Sequence, residues 1–491
     1  MKLNILHILG VATTLLAAGC AQEGLQKTDT EKLSELAISV TDGGYISEDT
    51  VSDAPTRIMD NDYRTEFTAG DACGLYIVRD GRIIAENIKL TAAGTGSNVT
   101  WSADADNEPF GGLPNEDYYL YYPYQESMDG EISPAATTDA DFFAPLIKDW
   151  QPQADQSNYD TGYAASDLMT AKGIREENAD GTISISFSMT HQMAMAIVKI
   201  PEILYKFTNS LIPDYREIPY VEFFGGVEPY SFSNGVYRYI SNPQKGKTAI
   251  NGYYKYGNYK GFTIDTQTIS AGRYKTFNVE SASLITVNYE LTAGDFLCKK
   301  SDTNRWYIIP KLSMPNNEDF VGVVFYVGHN TNDDTDYSNT GIGKKQCNGY
   351  VMAVKNLEER QWSKTLQNSI ITSTDEDKWN GYSNQQMLKN GGLNNYPAAK
   401  FCADYSISAP INTSGWFLPS IAQVKYALNN SYNDTKPSVD YFTDYFWGRI
   451  FWSSTALNLE LAQITMGNAN NYVTFSQDKD HNQDIMPILA F

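Results

Sequence analysis

Cys20 is the residue whose chemistry its neighbours specify most sharply. Lys2 gives a positive start, residues 5–18 are mostly apolar, and Leu16-Ala17-Ala18-Gly19 sets small residues directly before the thiol. That is the pattern of a lipobox, in which the thiol is acylated with palmitate-type chains after export. The apolar run contains His7, Thr13 and Thr14, and it falls short of the roughly 20 apolar residues a membrane-spanning helix needs. One acyl chain binds a membrane marginally and two or more anchor stably. The expectation is a signal peptide over 1–20 and a protein that meets the membrane only through lipid on Cys20.

Other reactive chemistry is sparse. Beyond the signal only His191, His329 and His481 remain, and HExxH, GxSxG, Walker and dinucleotide-binding patterns are absent. His191 lies next to the strand-like Ile197-Val198-Lys199-Ile200 and reads as structural. Carboxylates abound, but no pair can be assigned the spacing a glycosidase uses, so the chain is read as no enzyme. The loop 330–337 groups Asp333, Asp334 and Asp336 without EF-hand spacing or a closing Glu, and reads as a solvated turn. No metal and no cofactor are expected. Cys73, Cys298, Cys347 and Cys402 form no CxxC pair. Export permits a disulfide of Cys347 with Cys402 or Cys298, but isolated buried thiols are the favoured state.

A formal net charge of -22 argues against nucleic acid, which calls for clustered Lys and Arg. The same balance suits a surface protein kept soluble by self-repulsion.

These residues must be carried by a chain of 491 residues, long enough for two or three domains. Residues 21–31 are polar and read as a tether. Residues 33–40 form a short β-prone segment, followed by a loop over 41–62 containing Pro55. From Thr65 short strands alternate with Gly, Asn, Asp and Pro, the spacing of an antiparallel β-sandwich. The run Tyr118-Tyr119-Leu120-Tyr121-Tyr122-Pro123-Tyr124 reads as a strand with aromatic residues on alternate faces, ended by Pro123. Ile183, Ile185 and Phe187 alternate with Ser184 and Ser186 as a half-buried strand. From about Leu291 the texture changes, and six of the eight tryptophans follow. A short helix is expected over 420–428, with Ser420 as its N-cap.

Three segments together resemble the fimbrillin family, the lipoprotein-exported pilus subunits of Gram-negative anaerobes. They are Tyr63-Arg64-Thr65-Glu66-Phe67-Thr68-Ala69-Gly70-Asp71 leading to Gly74-Leu75-Tyr76, then Ser166-Asp167-Leu168-Met169, then the strand pair over 187–200. The resemblance covers about residues 20–290. A second resemblance, to lectin-like domains appended to some fimbrillins, rests on Gly415-Trp416-Phe417-Leu418-Pro419-Ser420, Phe451-Trp452-Ser453-Ser454-Thr455 and Pro487-Ile488-Leu489-Ala490-Phe491. Met486 stands where that frame usually has Arg. Together they imply a mainly β chain: two tandem antiparallel β-sandwich domains, fimbrillin-like and transthyretin-like, over 21–175 and 176–290, then a mixed α+β lectin-like domain over 291–491.

The fimbrillin resemblance further implies assembly by β-strand addition. A protease removes the first strand, 33–40, and a strand of the next subunit fills the groove. Arg57, after Pro55-Thr56, is the expected cleavage site, with Arg64 as the second. The final residues read as internal strands, which implies a tip or accessory adhesin that accepts a strand. Trp416 and Trp452 are framework residues or, in the functional alternative, a sugar-stacking surface. Expected partners are other fimbrial subunits and a host or bacterial surface glycan or protein. The expected location is the outer membrane as a lipid-anchored precursor, then the fimbrium. The competing reading is a surface glycan-binding lipoprotein that never polymerises.

Overall fold

The computed structural model describes residues 36–49, 63–64, 66–94, 99–103, 112–246, 248–256, 258–313, 315, 317–366, 370–443, 445–468 and 471–491. Cys20 and Arg57 lie outside them, as do residues 33–35. The described chain is mainly β and forms two compact units.

The first unit takes the described residues of Met1–Gly43, Thr65–Pro145 and Thr170–Thr190. Its sheet contains β1 (Leu36–Asp42), while β2 (Ile46–Ser47) belongs to the second unit. Then come β3 (Ala72–Arg79), β4 (Arg82–Ala93), β5 (Thr100–Ala103), β6 (Glu116–Tyr122), β7 (Met169–Lys172), β8 (Ile174–Glu177) and β9 (Ile183–His191). The order is β1-β9-β7-β6-β3-β4-β5, with β8 also paired to β9. β1 and β5, at the two ends of this order, approach each other, so the sheet curls around its core.

Two motif residues explain how this sheet closes. Gly74 of β3 sits opposite Tyr121 of β6, and a Cβ there would lie 2.1 Å from the Tyr121 ring. Only glycine admits that ring against the backbone. Asp71 accepts a hydrogen bond from the Thr68 amide at 2.7 Å and another from the Tyr122 hydroxyl at 3.2 Å. It thereby fixes the turn leading into β3.

The tyrosine strand is present as expected, as β6, and is enclosed on both of its faces. Tyr118, Tyr119, Tyr121 and Tyr122 are all buried, because the short helix Asp139–Phe142 covers the face that alternation would leave open. Tyr119 and Phe142 stack at 4.2 Å with an interplanar angle of 2°, and Phe143 packs beside Tyr121 and Tyr76.

The second unit holds all the other sheets. A five-stranded sheet containing Ala194–Lys199, Arg273–Asn278 and β2 shares a core with the three strands Val221–Phe224, Ala249–Tyr256 and Asn258–Asp265. Further along, Phe296–Lys299, Trp306–Ile309, Phe320–Val327, Gly349–Met352 and Ile488–Ala490 form a sheet buried on both faces. A last sheet around Ile450–Ala456 packs against the helices Gly381–Asn390 and Pro397–Ala403. The expected helix is present as Ile421–Lys425, and Ser420 and Gln423 close a full capping box at its start.

The mainly β class is as expected, but the sheets are mixed where all-antiparallel sandwiches were expected. β1 runs parallel to β9, Ala194–Lys199 parallel to Arg273–Asn278, and Glu202–Phe207 parallel to Leu284–Tyr289. Parallel neighbours need long crossovers, and an alternating sequence pattern carries no information about strand direction.

Candidate functional site

β1 is the strand on which the assembly expectation turns. Its seven residues pair in parallel with β9 from Leu36 opposite Ile183 to Asp42 opposite Met189. It stands at the end of the sheet order and pairs with β9 alone among the described strands. The period of two puts Leu36, Ile38 and Val40 on the inner face and Ala37, Ser39 and Thr41 outside. Full burial of such an aliphatic side chain contributes roughly 1.5–3 kcal/mol. Leu36 is buried, whereas Ile38 and Val40 are half-buried and contribute less. β1 is thus held mainly by one main-chain ladder and one row of small aliphatic contacts. At its end, Gly43 donates its amide to Met189 O at 2.9 Å, where a Cβ would come within 2.6 Å of that same oxygen.

Residues 44–49 belong to the second unit and are fastened there side chain by side chain. The Tyr45 ring stacks on His191 at 3.8 Å, and its hydroxyl donates to Asp167 Oδ1 at 2.6 Å. Asp167 also meets His191 Nδ1 at 3.0 Å. All three residues are buried. β2 runs parallel to Arg273 and Tyr274, Arg273 Nη1 donates to Ser47 O, and the Ser270 amide and hydroxyl both donate to Glu48. Tyr63 stacks on Tyr274 at 4.1 Å, and Arg64 next to it is exposed. His191 and Asp167 were visible in the sequence as separate motif residues. Nothing local marked Tyr45 as their partner.

The other end of the described chain is built differently. Ile488–Ala490 pairs with Gly349–Met352 along one edge. Along the other, Ile488 exchanges backbone hydrogen bonds with Phe417, and the Ser414 amide donates to Ala490 O. Phe491 is buried and packs edge-on against Trp306 at 5.2 Å. Met486, at the position where the lectin-like frame carries Arg, is buried in an apolar cluster with Phe417 and Ile488.

The two tryptophans weighed as a sugar-stacking surface do not form one. Trp452 has no exposed area, and its Nε1 donates to Arg360 O at 2.9 Å. Trp416 is 8% exposed, donates to Ile407 O at 2.7 Å, and meets Tyr405 edge-on. An indole enclosed in this way offers no face to a sugar ring.

The aspartates of the 330–337 loop do not converge on one point. Asp333 is buried and accepts from the hydroxyls of Tyr337 and Tyr350 at 2.8 and 2.7 Å, which corrects its reading as part of a solvated turn. Asp334 pairs with Lys378 at 2.6 Å, and Asp336 caps the turn Tyr337–Asn339. Cys73, Cys298, Cys347 and Cys402 are all buried free thiols. Burial pushes the thiol pKa upward at each of them, so they are poor nucleophiles.

One further carboxyl departs from its ordinary behaviour. Asp295 is fully buried, and that burial raises its pKa to about 6. The Thr292 and Lys311 amides and the Tyr289 hydroxyl donate to it and oppose the rise only in part.

Residues 56–212 match the family described as fimbrillin-like. A curated relative in Bacteroides ovatus, named "Putative fimbrium tip subunit Fim1C", is 29% identical over 330 residues, which cover 64% of this chain and 58% of the relative. The match thus spans less than two thirds of that relative's length. A solved fimbrial protein from Bacteroides ovatus is similar over 93% of this chain and 99% of its own, with a TM-score of 0.46 and 23% identity.

Proposed function

We propose that this chain is a fimbrial subunit of tip or accessory position, a surface adhesin exported as a lipoprotein acylated at Cys20 and joined to its neighbour by β-strand addition. The observation that carries the reading is the contrast between the two terminal strands. β1 lies at a sheet edge and pairs on one side only. Ile488–Ala490 is hydrogen-bonded along both of its edges, with Phe491 buried beyond it. Strand addition requires an open main-chain edge with apolar sockets at alternate positions, and departure of β1 would expose that edge on β9. The terminal strand is too enmeshed to be given away, so the subunit accepts a strand through this fold and does not donate that one. The fimbrillin-like match over 56–212 and the tip-subunit name of the Bacteroides ovatus relative support the same reading.

In this proposal, cleavage at Arg57 or Arg64 breaks the covalent link between the acylated front segment and the rest. Both arginines follow β1, and Arg64 is exposed. The precursor sits at the outer membrane on its lipid, and the processed subunit in the fimbrium. Immunogold labelling of intact fibres with an antibody against residues 300–491 tests the position. Gold at fibre ends is the expected result; gold along the shaft, or only scattered over cell surfaces, would overturn it.

A further inference from the structure

The buried tryptophans leave the adhesin reading without a ligand site, and the second unit contains a cavity that fits one. It measures about 720 Å3 and is open to solvent between the end of the strand Phe296–Lys299, the segment 354–357, the turn 406–408 and the segment around Phe442 and Tyr445. That volume lies within the range of small-ligand sites, roughly 300–1,000 Å3, and is far larger than a simple ion requires.

Its charge is opposite to that of the chain. In a protein of net charge -22, the described residues that line this cavity include Lys299, Lys355 and Arg449 and one carboxylate, that of Glu318. Arg449 is already engaged, donating to Asp484 Oδ1 at 2.7 Å and to Tyr445 O at 2.7 Å. The two lysines are not engaged by acids. Lys299 Nζ donates to Ser408 Oγ at 2.6 Å, and Lys355 Nζ donates to Asn317 Oδ1 at 2.8 Å. No carboxylate of the described residues forms an ion pair with either.

Lys355 is the more telling of the two. Its ammonium lies 4.4 Å from the centre of the Phe442 ring and 5.1 Å from that of Phe320, two rings that stack on each other at 3.7 Å. Burial there lowers its pKa, because the charged form has lost water and gained only neutral partners. A half-buried cation without a counter-charge gains from an arriving anion more than an exposed lysine would. Tyr445, at the rim, is 77% exposed, and its ring is free to lie against the body of a ligand. Hydroxyl and amide groups of Ser406, Ser408 and Asn356 complete a lining suited to a polyhydroxylated molecule.

We infer that this cavity binds an acidic saccharide, with Lys299 and Lys355 holding the carboxylate of a sialic- or uronic-acid residue and Tyr445 stacking on the sugar ring. The inference supplies a ligand to the adhesin reading and rests on it for biological meaning. It does not depend on strand addition, and the monomer is sufficient to test it.

The test is isothermal titration of the full chain, exported and folded, with sialyllactose and with trigalacturonate, using lactose and an oligoglutamate peptide as controls. One or both acidic sugars should bind at micromolar to millimolar concentration and lactose should not. Lys299→Gln and Lys355→Met should each weaken binding about tenfold, Tyr445→Ala should weaken it as well, and Lys389→Gln on a distant helix should leave it unchanged. Lys355→Met retains an unbranched aliphatic side chain beside the rings, and unchanged melting temperatures in the three lining variants certify the fold. Equal binding of lactose, tighter binding of oligoglutamate, indifference to both lysine substitutions, or no binding of either acidic sugar would each overturn the inference. Such a failure alongside gold at fibre ends removes the ligand and leaves the tip reading standing. Gold along the shaft alongside binding does the reverse.

Discussion

Individual side chains show most clearly what a linear reading can and cannot reveal. Ser420 was legible as a helix cap, because the Ser to Gln spacing is a local rule and the structure closes both of its hydrogen bonds. Trp416 and Trp452 were read as framework with a sugar-stacking alternative, and their burial agrees with the framework reading, but an aromatic residue near Gly and Pro looks the same whether it faces sugar or core, and only distant partners decide. Those partners are the carbonyls of Ile407 and Arg360. Removing either indole should therefore cost stability: Trp452→Ala is expected to lower the unfolding free energy by about 3–5 kcal/mol, measured by denaturant titration, and Trp416→Ala by a similar amount. A change below about 1 kcal/mol in Trp452→Ala would contradict its placement. Asp295 supplies a pH-dependent counterpart. Its folded-state pKa, about 6, lies above the ordinary aspartate value, so the folded chain holds the proton more tightly than the unfolded one. That contribution is complete at low pH and is lost as pH rises from about 4 through 6. The stability of the wild type relative to Asp295→Asn should fall over this window, by on the order of 2–3 kcal/mol, and a flat or rising difference would refute it.

Strands were legible where a period of two met a half-buried face, as in β9, whose Ile183, Ile185 and Phe187 point inward as the alternation predicts. Direction and partner were not. β1 meets β9 across nearly the whole first unit in sequence, in parallel, and no local pattern encodes such a crossover. The tyrosine strand was legible, but its cover was not, because a four-residue helix is too short to read from periodicity. At this scale the terminal strand makes a definite prediction. The Ile488 amide donates to Phe417 O and the Phe491 amide to Gly349 O, both inside the core. In hydrogen–deuterium exchange of the monomer these amides should open only with unfolding of the second unit, far more slowly than those of the exposed loops. Rapid exchange across 485–491 would mean a segment available for donation, and the tip reading would fail.

For the molecule as a whole, sequence texture anticipated a mainly β chain. The packing into two compact units, with the second taking the described residues of 44–64 and 146–169 as well as those from His191 onward, could not be read in advance, because it depends on long-range pairings such as β2 with Arg273 and Tyr45 with Asp167. The candidate cavity was equally hidden: Lys299, Lys355 and Tyr445 come from distant stretches and share no motif. The fastening of residues 44–49 has a bearing on timing. Were the backbone cut at Arg64, the front segment would remain in place as a non-covalent ligand, held through the β1 ladder and again through Tyr45, β2 and Glu48. Scission and vacancy would then be separate events, with the interval set by a dissociation rate. A subunit of this design could be nicked early and stay closed, becoming receptive only when its own former leader drifts away or a competing strand displaces it.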